Sequence, residues 1–189
     1  MRLGAGLTLL LGAGMILMAA APNALTAPQD DAKRHVHSGV ELQKKGDIDG
    51  AIVEYHAAIR LNPNLAEAHH NLGNALDDKG DHDGAIVEYR TAIRLNPKHA
   101  GAHYNLGIAL YTKGDLDGAI AEYRTAIHLS PKHAAAHYNL GIALMDQGNA
   151  SSAKEELKKF IKLAPDTPSN RPKIDDAKKM INKLNASEK

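Results

Sequence analysis

The chain has 189 residues, enough for one domain of ordinary size, and its 43% apolar and 24% charged residues are typical of a globular protein. Lys and Arg number 23 against 22 Asp and Glu, so no excess of positive charge is available to bind a nucleic acid backbone. The chain has no cysteine, which excludes disulfides, thiolate metal sites and cysteine catalysis.

Residues 1–27 are predicted to direct export, as a signal peptide or an N-terminal anchor. Arg2 is the one charge in the first 21 residues, and an uncharged run follows from Leu3 to Ala21. This pattern is typical of a secretory signal peptide, and the small residues after it favour cleavage. A helix of about 19 residues would also extend about 28 Å, close to a bilayer's hydrocarbon core, so an uncleaved anchor is the alternative. Both interpretations predict an exported protein, periplasmic or secreted, that meets a membrane only through this segment.

A dipeptide that ends in proline recurs every 34 residues through the middle of the chain. The period defines four repeats, over 32–65, 66–99, 100–133 and 134–167. The second and third repeats agree at 25 of 34 positions, which excludes a chance period. In all four repeats glycine occupies the eighth and fifteenth positions and alanine occupies the twentieth.

Each repeat is predicted to form two helices. Apolar residues follow helical spacing over the first 14 positions, the fifteenth-position glycine ends that helix, and the proline ends the second. An aspartate after the glycine in three repeats is predicted to cap the second helix. A glycine inside a helix costs about 0.5 to 1 kcal/mol relative to alanine, so the eighth-position glycine indicates helices too close for a Cβ. A helix over 173–185, with Ile174, Ala177, Ile181 and Leu184 on one face, is predicted to cap the fourth repeat.

This pattern resembles the tetratricopeptide repeat (TPR) family. Repeat two carries its signature with Leu72, Gly73, Leu76, Ala85, Tyr89, Ala92 and Pro97. The resemblance implies an all-α, right-handed superhelical solenoid of four helix-turn-helix repeats plus a C-terminal capping helix. The sequence departs from the family at the fourth position, where the usual large apolar residue is histidine: His35, His69, His103 and His137. These rings are predicted to fill the slot of a core residue with one nitrogen hydrogen-bonded.

The first helices are predicted to form a binding groove. Five of the nine differences between repeats two and three fall in one arc of the first helix, opposite the arc that must face the core. In solenoids of the family the first helices line the concave surface. Apolar residues cluster in this arc in repeats three and four, which favours binding over free drift of exposed positions. The predicted groove residues of this arc are His70, Asn74, Asp77, Tyr104, Ile108, Tyr111, Tyr138, Ile142 and Met145.

Asparagine occupies the sixth position of three repeats, bordering the same arc, as Asn71, Asn105 and Asn139. An amide offers donors and an acceptor, so a row of amides can bind the backbone of an extended peptide. The row resembles the asparagine ladder of O-linked N-acetylglucosamine transferases, of which only the peptide-holding role carries over. The alternative is that the helix surface merely tolerates these asparagines. The groove grades from partly basic in repeat one, through acidic in repeat two, to apolar, which suits a ligand with an apolar portion over repeats three and four.

Metal chemistry is the other possibility that the sequence raises. The pairs His99–His103 and His133–His137 have the i, i+4 spacing of helical metal ligands, but no Glu follows as in His-Glu-x-x-His. The Asp-x-Asp-Gly segments resemble calcium loops and are interpreted as turns and caps. No metal site and no cofactor are predicted.

The sequence therefore predicts a non-catalytic scaffold, not an enzyme, that binds a protein or an extended peptide in the concave groove. No nucleophile, base and orienting group recur together, so no catalytic residue is predicted, and nucleic acid is not an expected partner. Two alternatives stay open at this point. One is a structural assembly subunit of an envelope complex that uses the convex or end surfaces, and the other is a histidine-dependent metal carrier.

Overall fold

The computed structural model describes residues 27–186, and these residues form nine α-helices. The predicted export segment, apart from Ala27, lies outside the described residues. Among the helices described, none is both long enough and apolar enough to cross a membrane. The helices are α1 (Ala27–Lys44), α2 (Ile48–Leu61), α3 (Ala66–Asp78), α4 (His82–Leu95), α5 (Ala100–Thr112), α6 (Leu116–Leu129), α7 (Ala134–Asp146), α8 (Ala150–Leu163) and α9 (Arg171–Ala186).

The first eight helices form four hairpins, one in each 34-residue repeat. Within a repeat the two helices pack along each other, and each second helix also packs against the first helix of the next repeat. The last helix, α9, packs on α8, and its buried Ile174, Ala177 and Ile181 join Leu157 and Phe160 of α8 in one apolar cluster. The all-α prediction of four helix pairs plus a capping helix is confirmed, and the predicted cap over 173–185 lies inside α9.

Glycine and aspartate make the turn inside each hairpin. Gly80 has φ of 88°, a left-handed conformation that glycine adopts without the strain of a Cβ. The next residue, Asp81, caps α4, because its side chain accepts a hydrogen bond from the backbone N–H of Gly84 at 2.9 Å. Asp47 and Asp115 cap α2 and α6 in the same way, so the interpretation of the Asp-x-Asp-Gly segments as turns and caps is confirmed.

The eighth-position glycines lie where the two helices of a hairpin approach most closely. A Cβ on Gly107 would lie 2.6 Å from the ring of Tyr123, well inside van der Waals contact. Gly39 and Gly73 face Tyr55 and Tyr89 in the same way, and Gly141 faces Leu157. The predicted reason for these glycines is confirmed.

Three of the fourth-position histidines, His69, His103 and His137, hold three segments of chain together in an arrangement called here the histidine clamp. The fourth, His35, lies 2.6 Å from Glu54 but is half-buried and not part of the core as predicted. In repeat two, His69 Nδ1 lies 2.6 Å from Glu88 Oε2 on the second helix, and Nε2 lies 3.0 Å from the backbone carbonyl of Pro63 in the preceding repeat. A backbone carbonyl and an ionised carboxylate both accept hydrogen bonds, so this geometry suits a ring that donates from both nitrogens. The corresponding clamps are His103 with Glu122 and Pro97, and His137 with Glu156 and Pro131.

The clamp corrects the prediction of one bonded nitrogen, since the three inner histidines use both. The hydrogen bond to Glu88 raises the pKa of His69; burial opposes this rise and the Pro63 carbonyl adds to it. Burial would raise the pKa of Glu156, yet hydrogen bonds from Lys159 and His137 lower it overall. These contacts therefore favour the protonated form of His69 and the ionised form of Glu156.

Candidate functional site

The first helices of successive repeats lie side by side on the inner side of the stack. Helix α1 contacts α3, α3 contacts α5, and α5 contacts α7, whereas the second helices of the described residues pack mainly on first helices. This arrangement brings the first helices together on one surface. The face of α3, α5 and α7 that carries the predicted residues is called the groove below. All the predicted groove residues and all three asparagines are half-buried.

The fifth-position residues fill the junctions between repeats. The ring of His70 lies 4.5 Å from that of His99, and the ring of Tyr104 lies 4.6 Å from that of His133. Tyr138 packs on Phe160 and donates a hydrogen bond to Asp176 of α9 at 2.8 Å. These three side chains were predicted to line the groove, and each is held in place by the following repeat or by the cap.

The histidines at the ends of repeats cap helices. His99 Nδ1 accepts a hydrogen bond from the backbone N–H of Ala102, and His133 Nδ1 does the same for Ala136, both at 3.2 Å. The other member of each i, i+4 pair already uses both ring nitrogens in a histidine clamp. Between residues 27 and 186, no three His, Cys, Asp or Glu side chains are grouped so that they could hold a metal ion.

Two of the sixth-position asparagines, Asn105 and Asn139, are tied to the preceding first helix through their nitrogen atoms. Asn105 Nδ2 donates to Asn74 Oδ1 at 2.7 Å and to His70 Nε2 at 3.1 Å, which uses both of its N–H groups. Asn139 Nδ2 donates to the hydroxyl of Tyr104 at 3.2 Å. For Asn71, the fifth-position residue of the preceding repeat is Val36, whose side chain has no hydrogen-bond acceptor. For Asn105, therefore, the side-chain carbonyl is the group left to meet a ligand, whereas the sequence suggested both donors and an acceptor.

A hollow of about 320 Å³ opens between α3 and α5, called the polar hollow. The hydroxyl of Tyr89 donates to Asn74 Oδ1 at 2.9 Å, and Gln43 Nε2 donates to Asp78 Oδ2 at 2.6 Å. Asp77 Oδ1 lies 2.7 Å from Nδ1 of His82. Its lining residues are Gln43, Asn74, Asp77, Asp78, Tyr89 and Asn105.

A second hollow of about 210 Å³ opens between α5 and α7 and is called the apolar hollow. It is lined by Ile108, Tyr111, Tyr123, Asn139 and Ile142. Tyr111 is fixed at the rim because its hydroxyl donates to Asp146 Oδ2 at 2.5 Å. The isoleucines supply an apolar surface beside one amide, which suits an aliphatic side chain whose backbone can hydrogen-bond. Met145 packs against the core instead of lining either hollow.

Four lining residues were missing from the predicted set. Gln43 and Asp78 lie at the C-terminal ends of first helices, and Tyr89 and Tyr123 come from second helices. The tyrosines could have been found from the sequence, since a buried tyrosine needs a hydroxyl partner and the twenty-fourth position faces the first helices.

Family models match most of the described chain. Models described as tetratricopeptide repeat match residues 71–134 and 110–170, and a model described as TPR repeat matches residues 39–77. A comparison with curated protein sequences found no significant match.

Solved structures with the same architecture include three of different kinds. A crystal structure of MamA protein is 27% identical with a TM-score of 0.69, and the match covers 82% of this chain and 86% of that one. An O-GlcNAc transferase of Thermobaculum terrenum is 25% identical with a TM-score of 0.67, over 71% of this chain and 26% of the transferase. The first TPR domain of Spaghetti (RPAP3), bound to an HSP90 peptide, is 21% identical with a TM-score of 0.63, over 64% of this chain and 95% of that one, and shows the fold alone. On its repeat period, its stacked hairpins and these matches, the chain belongs to the tetratricopeptide repeat family.

Proposed function

We propose that this protein is a non-catalytic scaffold that holds an extended segment of a partner protein along the groove. TPR repeats act generally in protein–protein interaction, and a related fold carries a bound peptide in the RPAP3 structure. The segment would lie across α3, α5 and α7, with its backbone N–H groups directed at the asparagine row.

The apolar hollow is the observation that carries this proposal. It places Ile108 and Ile142 around a cavity of about 210 Å³ with the amide of Asn139 at its side. Apolar surface with a few fixed polar groups is typical of ligand sites. Ile142 lines this cavity without belonging to the apolar core, so packing alone gives no reason for it to be isoleucine.

Site-specific crosslinking tests the proposal. A photoreactive phenylalanine analogue placed at Ile142 is expected to crosslink a partner in an extract of the source cells, and the same analogue at Val87 of α4 is the control. Val87 is 59% exposed on a second helix, outside the groove. The captured partner is then purified and its affinity is measured by calorimetry.

Replacing Asn71, Asn105 and Asn139 together by Ala is expected to weaken this affinity by about tenfold or more, because hydrogen bonds to a peptide backbone are lost. The single variant Asn71→Ala leaves every hydrogen bond between first helices in place and separates loss of binding from loss of folding. A partner that crosslinks from Val87 alone, and binds the triple variant with unchanged affinity, would contradict a groove function.

A second candidate function, assembly through the outer surface, is supported by one observation. Val53 and Val87 occupy the same position of repeats one and two on second helices and are 63% and 59% exposed. Two exposed valines at equivalent positions offer an apolar contact for another subunit. Sedimentation of the wild type and of Val53→Ser/Val87→Ser separates this candidate, since only outer-face assembly depends on these residues.

Export remains part of the proposal, and it is supported by the uncharged run from Leu3 to Ala21. Intact mass spectrometry of the protein purified from its source would show a shortened N-terminus if the segment is cleaved.

A further inference from the structure

The charged residues of the groove are acidic. Helices α3, α5 and α7 together contain four acidic residues and no Lys or Arg. Three of the four, Asp77, Asp78 and Asp146, lie in the last turn of their helix, where the helix dipole adds negative potential. All three lie at the hollows or their rim, since Asp77 and Asp78 line the polar hollow and Asp146 holds Tyr111.

The lysines that follow α3 and α5 are directed elsewhere. Lys79 Nζ lies 2.6 Å from Asp49 Oδ1, and Lys113 Nζ lies 3.1 Å from Asp83, both on the second helix of the preceding repeat. The groove carboxylates have other partners among residues 27–186: His82 for Asp77, the amide of Gln43 for Asp78, and a tyrosine hydroxyl for Asp146. Among residues 27–186, none of these partners is a lysine or an arginine, and the contact of Asp77 with His82 is an ion pair only when that ring is protonated. The groove therefore presents acidic side chains that no lysine or arginine of its own helices neutralises.

The two hollows lie on either side of α5 and can be reached by one short segment. Asn105 lines the polar hollow and Ile108 lines the apolar hollow, one helical turn apart. Packed helices lie about 8–10 Å apart, and an extended chain advances about 3.3 Å per residue, so the hollows are separated by about three residues of an extended peptide.

We infer that the groove selects extended peptides that carry a Lys or Arg side chain for the polar hollow and an aliphatic side chain about three residues away for the apolar hollow. This inference rests on the proposed function and names the class of ligand. The cation would meet Asp77 and Asp78 beside the amides of Asn74 and Asn105, and the aliphatic group would contact Ile142. Long-range attraction by the groove carboxylates would speed association at low salt.

Selection from a random library tests the inference, and it does not require the natural partner. The probe is a phage-displayed library of random 12-residue peptides, panned on the purified protein at low salt. Recovered sequences are expected to be enriched in Lys or Arg and in Leu, Ile or Val at a recurring separation of two to four residues. Synthetic copies of these peptides are then measured by fluorescence polarisation.

The matched variants assign the binding to each hollow. Asp77→Asn/Asp78→Asn is expected to weaken binding by about tenfold, and the effect should shrink at high salt because ions screen exposed charges. The control Glu155→Gln/Asp175→Asn removes two exposed acidic residues outside the groove and is expected to change affinity less than about twofold. Ile142→Ser is expected to weaken binding by about fivefold or more, whereas Val87→Ser leaves it unchanged.

The outcomes distinguish this inference from the proposed function. The inference would be overturned by neutral or acidic peptides that bind Asp77→Asn/Asp78→Asn as tightly as the wild type. If the same peptides lose affinity for Ile142→Ser, the groove function still stands. A selection that yields no binding peptide, or peptides unaffected by Ile142→Ser, would overturn both.

Discussion

Two adjacent histidines, His69 and His70, have opposite protonation chemistry. His69 is in a histidine clamp with Glu88 and Pro63, and this contact raises its pKa. His70 faces the next repeat, where burial and the charge of His99 lower its pKa to about 4. Its Nε2 accepts from Asn105, which requires the neutral ring. The folded state therefore favours the protonated form of His69 and the neutral form of His70.

The charge of Glu88 is expected to sustain the charge of His69. In Glu88→Gln the pKa of His69 should fall towards or below its ordinary value, and the protein should lose about 1–3 kcal/mol of stability at pH 6. The pKa of His69 in the folded protein lies above its value of about 6.5 in the unfolded chain. The stability that this shift contributes is fully present below about pH 6.5 and is lost as the pH rises through the folded pKa. The loss in the variant should therefore be smaller at pH 9. Histidine NMR titration and urea unfolding at the two pH values measure this, and an unchanged titration of His69 would contradict it.

Replacing His70 by Tyr is expected to stabilise the protein in acid. With a folded pKa of about 4 against about 6.5 unfolded, the unfolded chain binds the proton first, so stability is complete above about pH 6.5 and falls towards pH 4. Tyrosine already occupies this position as Tyr104 and Tyr138 and does not titrate in that range. The free energy of unfolding, measured with urea, should fall between pH 7 and pH 4 by about 1–3 kcal/mol less in His70→Tyr than in the wild type. Parallel curves for the two proteins would refute the assignment.

Some contacts of the histidine clamp could be predicted from the sequence, and one could not. Histidine at the fourth position predicted a polar ring in a core slot, and the structure buries His69, His103 and His137 there but leaves His35 half-buried. Its partner Glu lies at the twenty-third position of every repeat, a regularity that is visible in the sequence. The third partner is a backbone carbonyl, whose position depends on the path of the chain and not on residue type, so the doubly bonded ring could not be predicted.

At the scale of the helix pair, two glycines in α5 have opposite roles. Gly107 lies where a Cβ would come within 2.6 Å of the Tyr123 ring, whereas a Cβ on Gly101 would make an ordinary contact at 3.4 Å. The position of Gly101 is occupied by Ala135 in the next repeat. Helix propensity favours alanine at both sites, and only close packing opposes it at Gly107.

Gly107→Ala is therefore expected to lower the free energy of unfolding by about 1–3 kcal/mol, because Tyr123 cannot move away within a packed core. Gly101→Ala is the matched control and is expected to raise it by about 0.5–1 kcal/mol. Urea denaturation of the two variants measures both signs. Stabilisation by both substitutions would show that the helices can separate at no cost.

Helix pairs were the best predicted level of the molecule. Their periodicity, glycine turns and aspartate caps are local signals, and four copies of each reinforce one another. The asparagine row was less predictable, because Asn105 and Asn139 donate to residues 31 to 35 positions earlier in the chain. Contacts between repeats depend on how the hairpins stack, so the row could be predicted from the sequence and its hydrogen bonds could not. Its role in binding stays a prediction.

Across the whole molecule, each repeat is stabilised by its neighbours, and the last depends on α9. Leu157 and Phe160 of α8 are buried against Ile174, Ala177 and Ile181 of that helix. Tyr138 is also held by Asp176 at 2.8 Å. Repeat proteins of this kind transmit stability from one unit to the next.

A chain that ends at residue 167 is expected to lose the fourth repeat first. Removal of α9 exposes the apolar surface of α8, so amide hydrogens of α7 and α8 should exchange at least about tenfold faster, while those of α3 and α4 change little. Hydrogen exchange followed by mass spectrometry resolves the helices. Uniform acceleration along the chain would indicate a single cooperative unit instead.

The histidine clamp also has a consequence for how this array can grow. Each inner clamp joins a histidine to a residue 19 positions later and to one 6 positions earlier, so it draws only on its own repeat and the one before. A duplicated stretch of 34 codons, inserted in frame between two inner repeats, would arrive with every partner that its histidine clamp requires. Evolution could therefore lengthen this protein one hairpin at a time without designing that contact anew.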